Sequence, residues 1–335
     1  MNLLGRSTAG ILLLSAVVLP LQPVDAGELV PLRQVGAIAL PDARGRIDHL
    51  EWDEATGRLF VAALASNTVD IVDTARGASV GAVRGLREPQ GVLSVAARRL
   101  LAVANGGDGT LRFFDERTLA PVTSLQFPGD ADNLRYDDAR DRVYVGYGGG
   151  GIGIVDASSL HRIADVPLAG HPESFQLEKR GRRMFVNVPA GNRVVVIDRE
   201  QGRAIAEWRL PGPCENFPMD LDEDGGRLFI GCRAPAGIMV LDAANGALLH
   251  TFPIAADVDD VFFDRARRRV YASCGAGVLQ AFEETAERGF APAGSIATRP
   301  GARTSLFVPA RSRIYVALPR ADGNAAEIRV YEVQR

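Results

Sequence analysis

The sequence predicts an all-β protein, a seven-bladed β-propeller with four-stranded antiparallel blades. Three observations support this fold. A β-rich unit, clearest as RVYVGYGGGGIGIVD at Arg142–Asp156, recurs along the chain. Its leading arginines follow one another at intervals of 41, 43, 41, 44, 42 and 44 residues, which is the length of one propeller blade. The unit occurs seven times, so seven blades are expected.

Each unit has two halves that share a simple pattern. The first half is a short run of β-branched and aromatic residues that begins at Arg58, Arg99, Arg142, Arg183, Arg227, Arg269 or Arg313. The second is a similar run that ends at Asp73, Asp115, Asp156, Asp198, Asp242, Glu283 or Glu332. Polar turns such as DEATGR, Asp53–Arg58, join the strands. We expect the closing acids to be structural and the arginines to be solvated.

The two ends of the chain have separate roles. Residues 1–26 are typical of a signal peptide cleaved after Ala26, with the basic Arg6 and an apolar core, Ala9–Leu19, too short to cross a bilayer. A retained anchor is the alternative. Residues 27–335 are then one propeller domain, expected to be a periplasmic or secreted monomer without stable membrane insertion.

The N-terminal strand is expected to close the ring. Glu28–Leu40 resembles the outer strands of the blades, whereas the last repeat ends after its third strand. Pairing these two segments completes the seventh blade and removes an open sheet edge.

Composition restricts the partners. The chain is 47% hydrophobic, enough for a large core, and its net charge is −3. A near-neutral chain without a basic surface is not expected to bind nucleic acid.

The repeat also resembles a known family. A basic residue, a β run, a Gly/Asn-rich turn and V-x-V-x-D form a pattern similar to that of YVTN-type, YncE-like propellers, with the closest copy in Phe60–Ala63 and Asn67–Asp73. The resemblance covers Gly27–Arg335. It implies a secreted or periplasmic bacterial protein of a family in which some members bind DNA or other partners, and DNA binding fits the net charge of −3 poorly.

Propellers bind ligands at the mouth of the central channel, where the inner strands begin. Counting back five residues from Asp53 and its equivalents gives a first ring of Asp48, Gln90, Asp132, Glu173, Phe217, Asp259 and Arg303. The second ring is His49, Gly91, Asn133, Ser174, Pro218, Asp260 and Thr304. Just outside lie Glu88, Asp130, His171, Glu215 and Asp257. Carboxylates therefore concentrate where the blades converge.

Converging carboxylates must be solvated, protonated, paired with a base such as Arg303, or neutralised by a cation. The first hypothesis is a binding module for a small molecule, a cation or a protein partner, with a ligand site at Asp48, His49, Asp132, Asn133, Glu173, Glu215, Asp259, Asp260 and Arg303. A hard cation, Ca²⁺ or Mg²⁺, would bind Asp48, Asp132, Asn133 and Asp259. A hydrated acidic channel without a metal is the plainer alternative.

The alternative function is enzymatic. The pairs Asp48-His49, Asp132-Asn133 and Asp259-Asp260 resemble the metal ligands of gluconolactonase-like and paraoxonase-like propellers. That resemblance implies a metal-dependent lactonase or esterase in which His49 or His171 is the base.

Three cysteines are an odd number for an oxidising compartment. Cys214 precedes the inner strand of blade five, which runs antiparallel to the strand that ends at Cys232. This placement predicts a Cys214–Cys232 disulfide and a buried, free Cys274. A thiolate metal site is the alternative.

Overall fold

Seven four-stranded antiparallel sheets form the molecule. The structure, a computed structural model, describes residues 31–334. The inner strands of successive sheets contact one another, and the inner strand of the last sheet contacts that of the first. The predicted seven-bladed propeller is confirmed, and the predicted signal peptide lies outside the described residues.

In blades 1 to 6 the strands run outward from the channel in chain order. Blade 1 comprises β2 (Leu50–Asp53), β3 (Arg58–Ala63), β4 (Thr68–Asp73) and β5 (Ala78–Val83). Blade 2 comprises β6 (Pro89–Val95), β7 (Leu100–Asn105), β8 (Thr110–Asp115) and β9 (Pro121–Gln126). Blades 3 and 4 comprise β10 (Ala131–Asp137), β11 (Arg142–Tyr147), β12 (Gly151–Asp156), β13 (His161–Pro167), and β14 (Phe175–Leu177), β15 (Arg183–Val188), β16 (Arg193–Asp198), β17 (Arg203–Arg209).

The remaining blades follow the same plan. Blades 5 and 6 comprise β18 (Asn216–Asp222), β19 (Arg227–Cys232), β20 (Gly237–Asp242), β21 (Leu248–Pro253), and β22 (Val258–Asp264), β23 (Arg269–Cys274), β24 (Val278–Glu284), β25 (Phe290–Ala297). Blade 7 comprises β26 (Ser305–Val308), β27 (Arg313–Leu318), β28 (Ala326–Val333) and β1 (Leu32–Leu40). Single 3₁₀ turns occur at Leu64–Ser66, Ala96–Arg98, Pro189–Gly191 and Pro309–Arg311.

Blade 7 is closed by the first strand of the chain. β1 pairs antiparallel with β28, with Leu32 opposite Val333 and Leu40 opposite Ala326. The predicted closure by the N-terminal strand is therefore confirmed, and the ring is held by backbone hydrogen bonds between the two ends of the described chain.

The repeated arginine and acid lie opposite each other in the sheet. Arg58 pairs with Asp73 across β3 and β4, and Arg142 pairs with Asp156 across β11 and β12. Opposite charges at facing positions stabilise a strand pair. The acid also closes the following turn, because the Asp73 carboxylate accepts the backbone N–H groups of the second and third residues after it.

The expectation that the arginines are solvated is wrong at three positions. Arg199, Arg227 and Arg269 are buried. The guanidinium of Arg199 donates to the Asp137 carboxylate and to backbone carbonyls of the loop before β15. Sequence position alone did not show that these carboxylates lie within reach, since Arg199 and Asp137 are 62 residues apart.

Neighbouring blades are joined by apolar packing and by hydrogen bonds along the channel. Buried residues of adjacent blades form continuous clusters, for example Leu50 and Val61 with Tyr315. Nearer the axis, carboxylates accept a backbone N–H from the next blade: Glu51 from Ser94 at 3.0 Å, Asp220 from Phe263 at 2.7 Å and Asp260 from Ser305 at 2.6 Å. These interblade bonds satisfy amides that would otherwise be unpaired on the channel wall.

Candidate functional site

The channel mouth encloses a cavity of about 280 Å³. All seven residues of the first ring line this cavity, as do six of the second ring. Asp130 and His171 join them from the loops, whereas Glu215 is exposed and is not part of the lining. The ligand residues inferred from the sequence therefore share one cavity, with the exception of Glu215.

A repeated backbone turn directs the first ring into the channel. The residue two positions before the ring has a positive φ in four blades: 49° at Glu88, 31° at Asp130, 47° at Glu215 and 62° at Asp257. Its carbonyl accepts the N–H of the residue just after the second strand, which is Gly106, Gly148, Arg233 or Gly275. The residue after the second strand is thereby held at the mouth in each of these blades.

In blade 1, Asp48 and His49 belong to an ion-paired group. Arg46 lies 2.8 Å and the His49 Nδ1 lies 3.2 Å from the Asp48 carboxylate, and the His49 Nε2 lies 3.0 Å from the amide oxygen of Asn133. Burial opposes the charge of His49, but the hydrogen bond and charge of Asp48, with the charges of Asp132 and Asp260, raise its pKa to about 10. His49 is therefore protonated at neutral pH.

One side of the mouth, which we call the arginine wall, consists of Asp257, Asp259, Arg233 and Arg303. Asp259 pairs with Arg233 and lies 3.3 Å from the Nε of Arg303, which also bonds Asp257 at 2.7 Å. The guanidinium of Arg233 stacks 3.6 Å from the centre of the Phe217 ring. The carboxylates of this wall are neutralised by the protein itself.

The opposite side, which we call the open wall, consists of Asp132, His171 and Glu173. Asp132 is only 6% exposed, yet within residues 31–334 its Oδ1 atom is buried without a hydrogen bond. The nearest bases are the His171 Nε2 at 3.7 Å and the His49 Nδ1 at 3.9 Å. Burial and the charge of Asp132 raise the pKa of Glu173 to about 7, although His171 and Arg233 act in the opposite direction.

His171 is oriented by a backbone carbonyl. Its Nδ1 donates to the carbonyl oxygen of Gly148 at 2.8 Å, which turns Nε2 toward Asp132. Gly148 has a φ of 52°, and a Cβ there would come within 2.1 Å of the Pro128 carbonyl oxygen, so only glycine fits. Burial opposes the charge of His171, but Asp132 and the Gly148 carbonyl raise its pKa to about 9.

The open wall has the spacing of a metal site. Asp132, His171 and Glu173 each offer one ligand atom, and these atoms lie within 4.8 Å of one another. Of the metal ligands inferred from the sequence, only Asp132 belongs to this group. Asp48 and Asp259 face arginines, and the Asn133 amide oxygen bonds His49. The inferred set of four is therefore not brought together around one point.

Sequence reasoning missed four contributors to the mouth. Arg233 and Arg46 come from loops, and Gly148 lies in the turn between β11 and β12. Arg135 was also missed, although it lies on β10 two residues after Asn133 and lines the same cavity. The available signal was the position just after the second strand, where blade 5 has arginine and blades 2, 3 and 6 have glycine.

The disulfide lies beside the arginine wall. Cys214 and Cys232 are joined, with their Cα atoms 4.6 Å apart, and Cys274 is free and buried. Burial and the nearby Asp257 raise the pKa of the Cys274 thiol to about 12, so it is inert rather than a thiolate ligand. Because Arg233 directly follows Cys232, the disulfide holds the strand end that supplies this guanidinium.

Comparison with known proteins supports the fold. A chain of the "Crystal Structure of Mitotic Checkpoint Complex" superposes with a TM-score of 0.76 over 98% of this chain and 99% of that one, at 14% sequence identity. Such a low identity shows the fold alone. No protein-family model and no curated protein matches the sequence, so the YVTN-type resemblance remains a prediction. Within residues 31–334, no helix is long and apolar enough to cross a membrane.

Proposed function

We propose that this propeller is a binding module that holds a divalent metal ion on Asp132, Glu173 and His171 and binds a small ligand in the cavity beside it. The observation that carries the proposal is the Oδ1 atom of Asp132, which is buried at the cavity wall without a hydrogen bond within residues 31–334. A buried carboxylate oxygen without a hydrogen bond is unfavourable, and a cation bound to it would offset that cost.

His171 supports the same assignment. Histidine ligands of metals commonly donate their second ring nitrogen to a carbonyl or carboxylate, which fixes the tautomer. The bond from the His171 Nδ1 to Gly148 is of this kind and leaves Nε2 for the ion, which would displace the proton that Nε2 carries in the metal-free protein. One imidazole with two carboxylates suits Zn²⁺ or Mn²⁺ better than the Ca²⁺ or Mg²⁺ expected from the sequence.

Three protein ligands leave further positions of the ion open toward the cavity. A ligand would therefore bind partly through the metal and partly through the polar lining. The YVTN-type resemblance and the apolar segment near the N-terminus support a periplasmic or secreted location for this activity.

Isothermal titration calorimetry of EDTA-treated, dialysed protein with Mn²⁺ and Zn²⁺ tests the proposal. Wild type should bind one ion, and Asp132→Asn should weaken binding at least 100-fold. The matched control is Asp130→Asn, at the rim of the same cavity, where the carboxylate already accepts a bond from Gln90; its affinity should stay within about threefold of wild type. No binding by wild type, or equal losses in both variants, would refute the site.

The metal-dependent lactonase or esterase is a second candidate, favoured by the open coordination positions. In it, the ion would polarise a carbonyl group. Its weakness is the base, because His171 is used as a ligand and His49, with a pKa of about 10, is already protonated at neutral pH. A panel of lactones and esters assayed with and without chelator should show no chelator-sensitive turnover; clear turnover would favour the enzyme.

A further inference from the structure

Arg135 is a cation inside the channel that lacks an acidic partner. Its guanidinium lies 5.4 Å from the centre of the Phe175 ring and donates one hydrogen bond, at 2.7 Å, to the carbonyl of its neighbour Leu134. No carboxylate among residues 31–334 lies within 4.0 Å of it. Most of its five N–H donors are therefore available to the cavity that it lines.

Four acids act on Arg135 through their charge; one is Asp132, the proposed metal ligand, and the other three are bonded elsewhere. Glu51, Asp220 and Asp260 each accept the backbone N–H of the next blade through the interblade bonds described above. These bonds hold the carboxylates against the channel wall. The guanidinium is consequently free to bind an anion that enters from outside.

The charge of the cavity, once a metal is bound, also favours an anionic ligand. Its lining has six carboxyl groups and four guanidinium groups. A divalent ion on the open wall would add two positive charges to this lining. Metal binding would therefore make the cavity more favourable for an anion.

We propose that the ligand of this site is a small dicarboxylate, with one carboxylate bound to the metal on the open wall and the other to the guanidinium of Arg135. This inference rests on the proposed metal site. Arginine presents a planar pair of donors that matches a carboxylate, and a carboxylate is also a good metal ligand. A cavity of about 280 Å³, which contains both groups, limits the ligand to a small molecule.

The test is calorimetric titration of Mn²⁺-saturated protein with oxalate, malonate, succinate and glutarate. One of the four dicarboxylates should bind best. Its affinity should be at least tenfold higher than that of a monocarboxylate of equal length and that of the corresponding neutral diamide. Binding should disappear in EDTA. If Mn²⁺ itself does not bind, the proposed function fails; if Mn²⁺ binds and none of the four dicarboxylates does, only this inference is overturned.

Variants then assign the second carboxylate to Arg135. Arg135→Gln should weaken the best dicarboxylate at least tenfold while Mn²⁺ affinity stays within about threefold, and Arg135→Lys should recover part of the loss. The control is Arg76→Gln, an exposed arginine far out on blade 1. Unchanged dicarboxylate affinity in Arg135→Gln would overturn the assignment. If Arg135→Gln does not fold, the affinities of the wild-type protein for the dicarboxylate and for its neutral diamide are compared instead, and equal affinities would overturn the inference.

Discussion

The two walls of the channel mouth start from the same repeat position and end in opposite states. Asp132 and Asp259 occupy the first ring of blades 3 and 6, yet Asp259 contacts two arginines, whereas the Asp132 Oδ1 has no hydrogen bond within the described chain. The repeat places a carboxylate at each position. The neighbouring blade decides whether that carboxylate is neutralised or left available for a ligand.

The difference comes from the residue that follows the second strand of the preceding blade. Before Asp259 this residue is Arg233, whose guanidinium reaches across to the carboxylate. Before Asp132 it is Gly106, which has no side chain, and before Glu173 it is Gly148, which offers only a carbonyl to His171. The open wall is therefore open because glycines stand where blade 5 has arginine.

Removing the disulfide should lower the stability of the protein without changing metal binding at the open wall. Replacing both Cys214 and Cys232 by serine removes a crosslink over 18 residues and should lower the free energy of unfolding by about 3 kcal/mol. Urea denaturation measures this loss. Mn²⁺ affinity should stay within about threefold, because the open wall is in other blades. A tenfold loss would mean that the two walls are coupled.

Metal should stabilise the protein only through the open wall. At an Mn²⁺ concentration 100 times the dissociation constant, the free energy of unfolding should rise by about 2.7 kcal/mol in wild type and in Asp259→Asn. Asp132→Asn should show no such rise at the same concentration. Thermal and urea unfolding in the presence and absence of EDTA measure the effect, and a similar rise in all three proteins would indicate binding elsewhere.

Replacing aspartate by asparagine at Asp132 and at Asp259 should change the free energy of unfolding by unequal amounts when EDTA keeps the protein free of metal. Asp259→Asn weakens bonds to two guanidiniums and should lower the free energy of unfolding by about 2 kcal/mol. Asp132→Asn removes only the longer contacts with His171 and His49, at 3.7 Å and 3.9 Å, and should lower it by a smaller amount, about 1 kcal/mol. Equal losses would show that Asp132 has a structural partner and would remove the distinction between the walls.

Glu51 provides a third case, a carboxylate with a backbone bond but no ion pair within 4.0 Å among residues 31–334. Burial raises its pKa to about 7, above the ordinary value of 4.5. The folded state therefore favours the protonated form, and stability falls as pH rises from about 4.5 through 7. Glu51→Gln should remove about 1 kcal/mol of this loss, after allowing for water in the channel. Urea unfolding at pH 5 and pH 8 compares the two proteins; identical pH dependence would contradict the assignment.

The sequence by itself determined the seven blades, the closing strand and the positions that face the channel, because a repeat of about 42 residues forces equivalent residues into equivalent places. It also indicated that Cys214, just before β18, lies next to Cys232 at the end of β19. Only the tertiary structure decided the charge state of each ring carboxylate. That state depends on side chains from the next blade, such as Arg233 beside Asp259, and on an absent side chain at Gly148. Interactions across blades follow the geometry of the ring, and no local pattern encodes them.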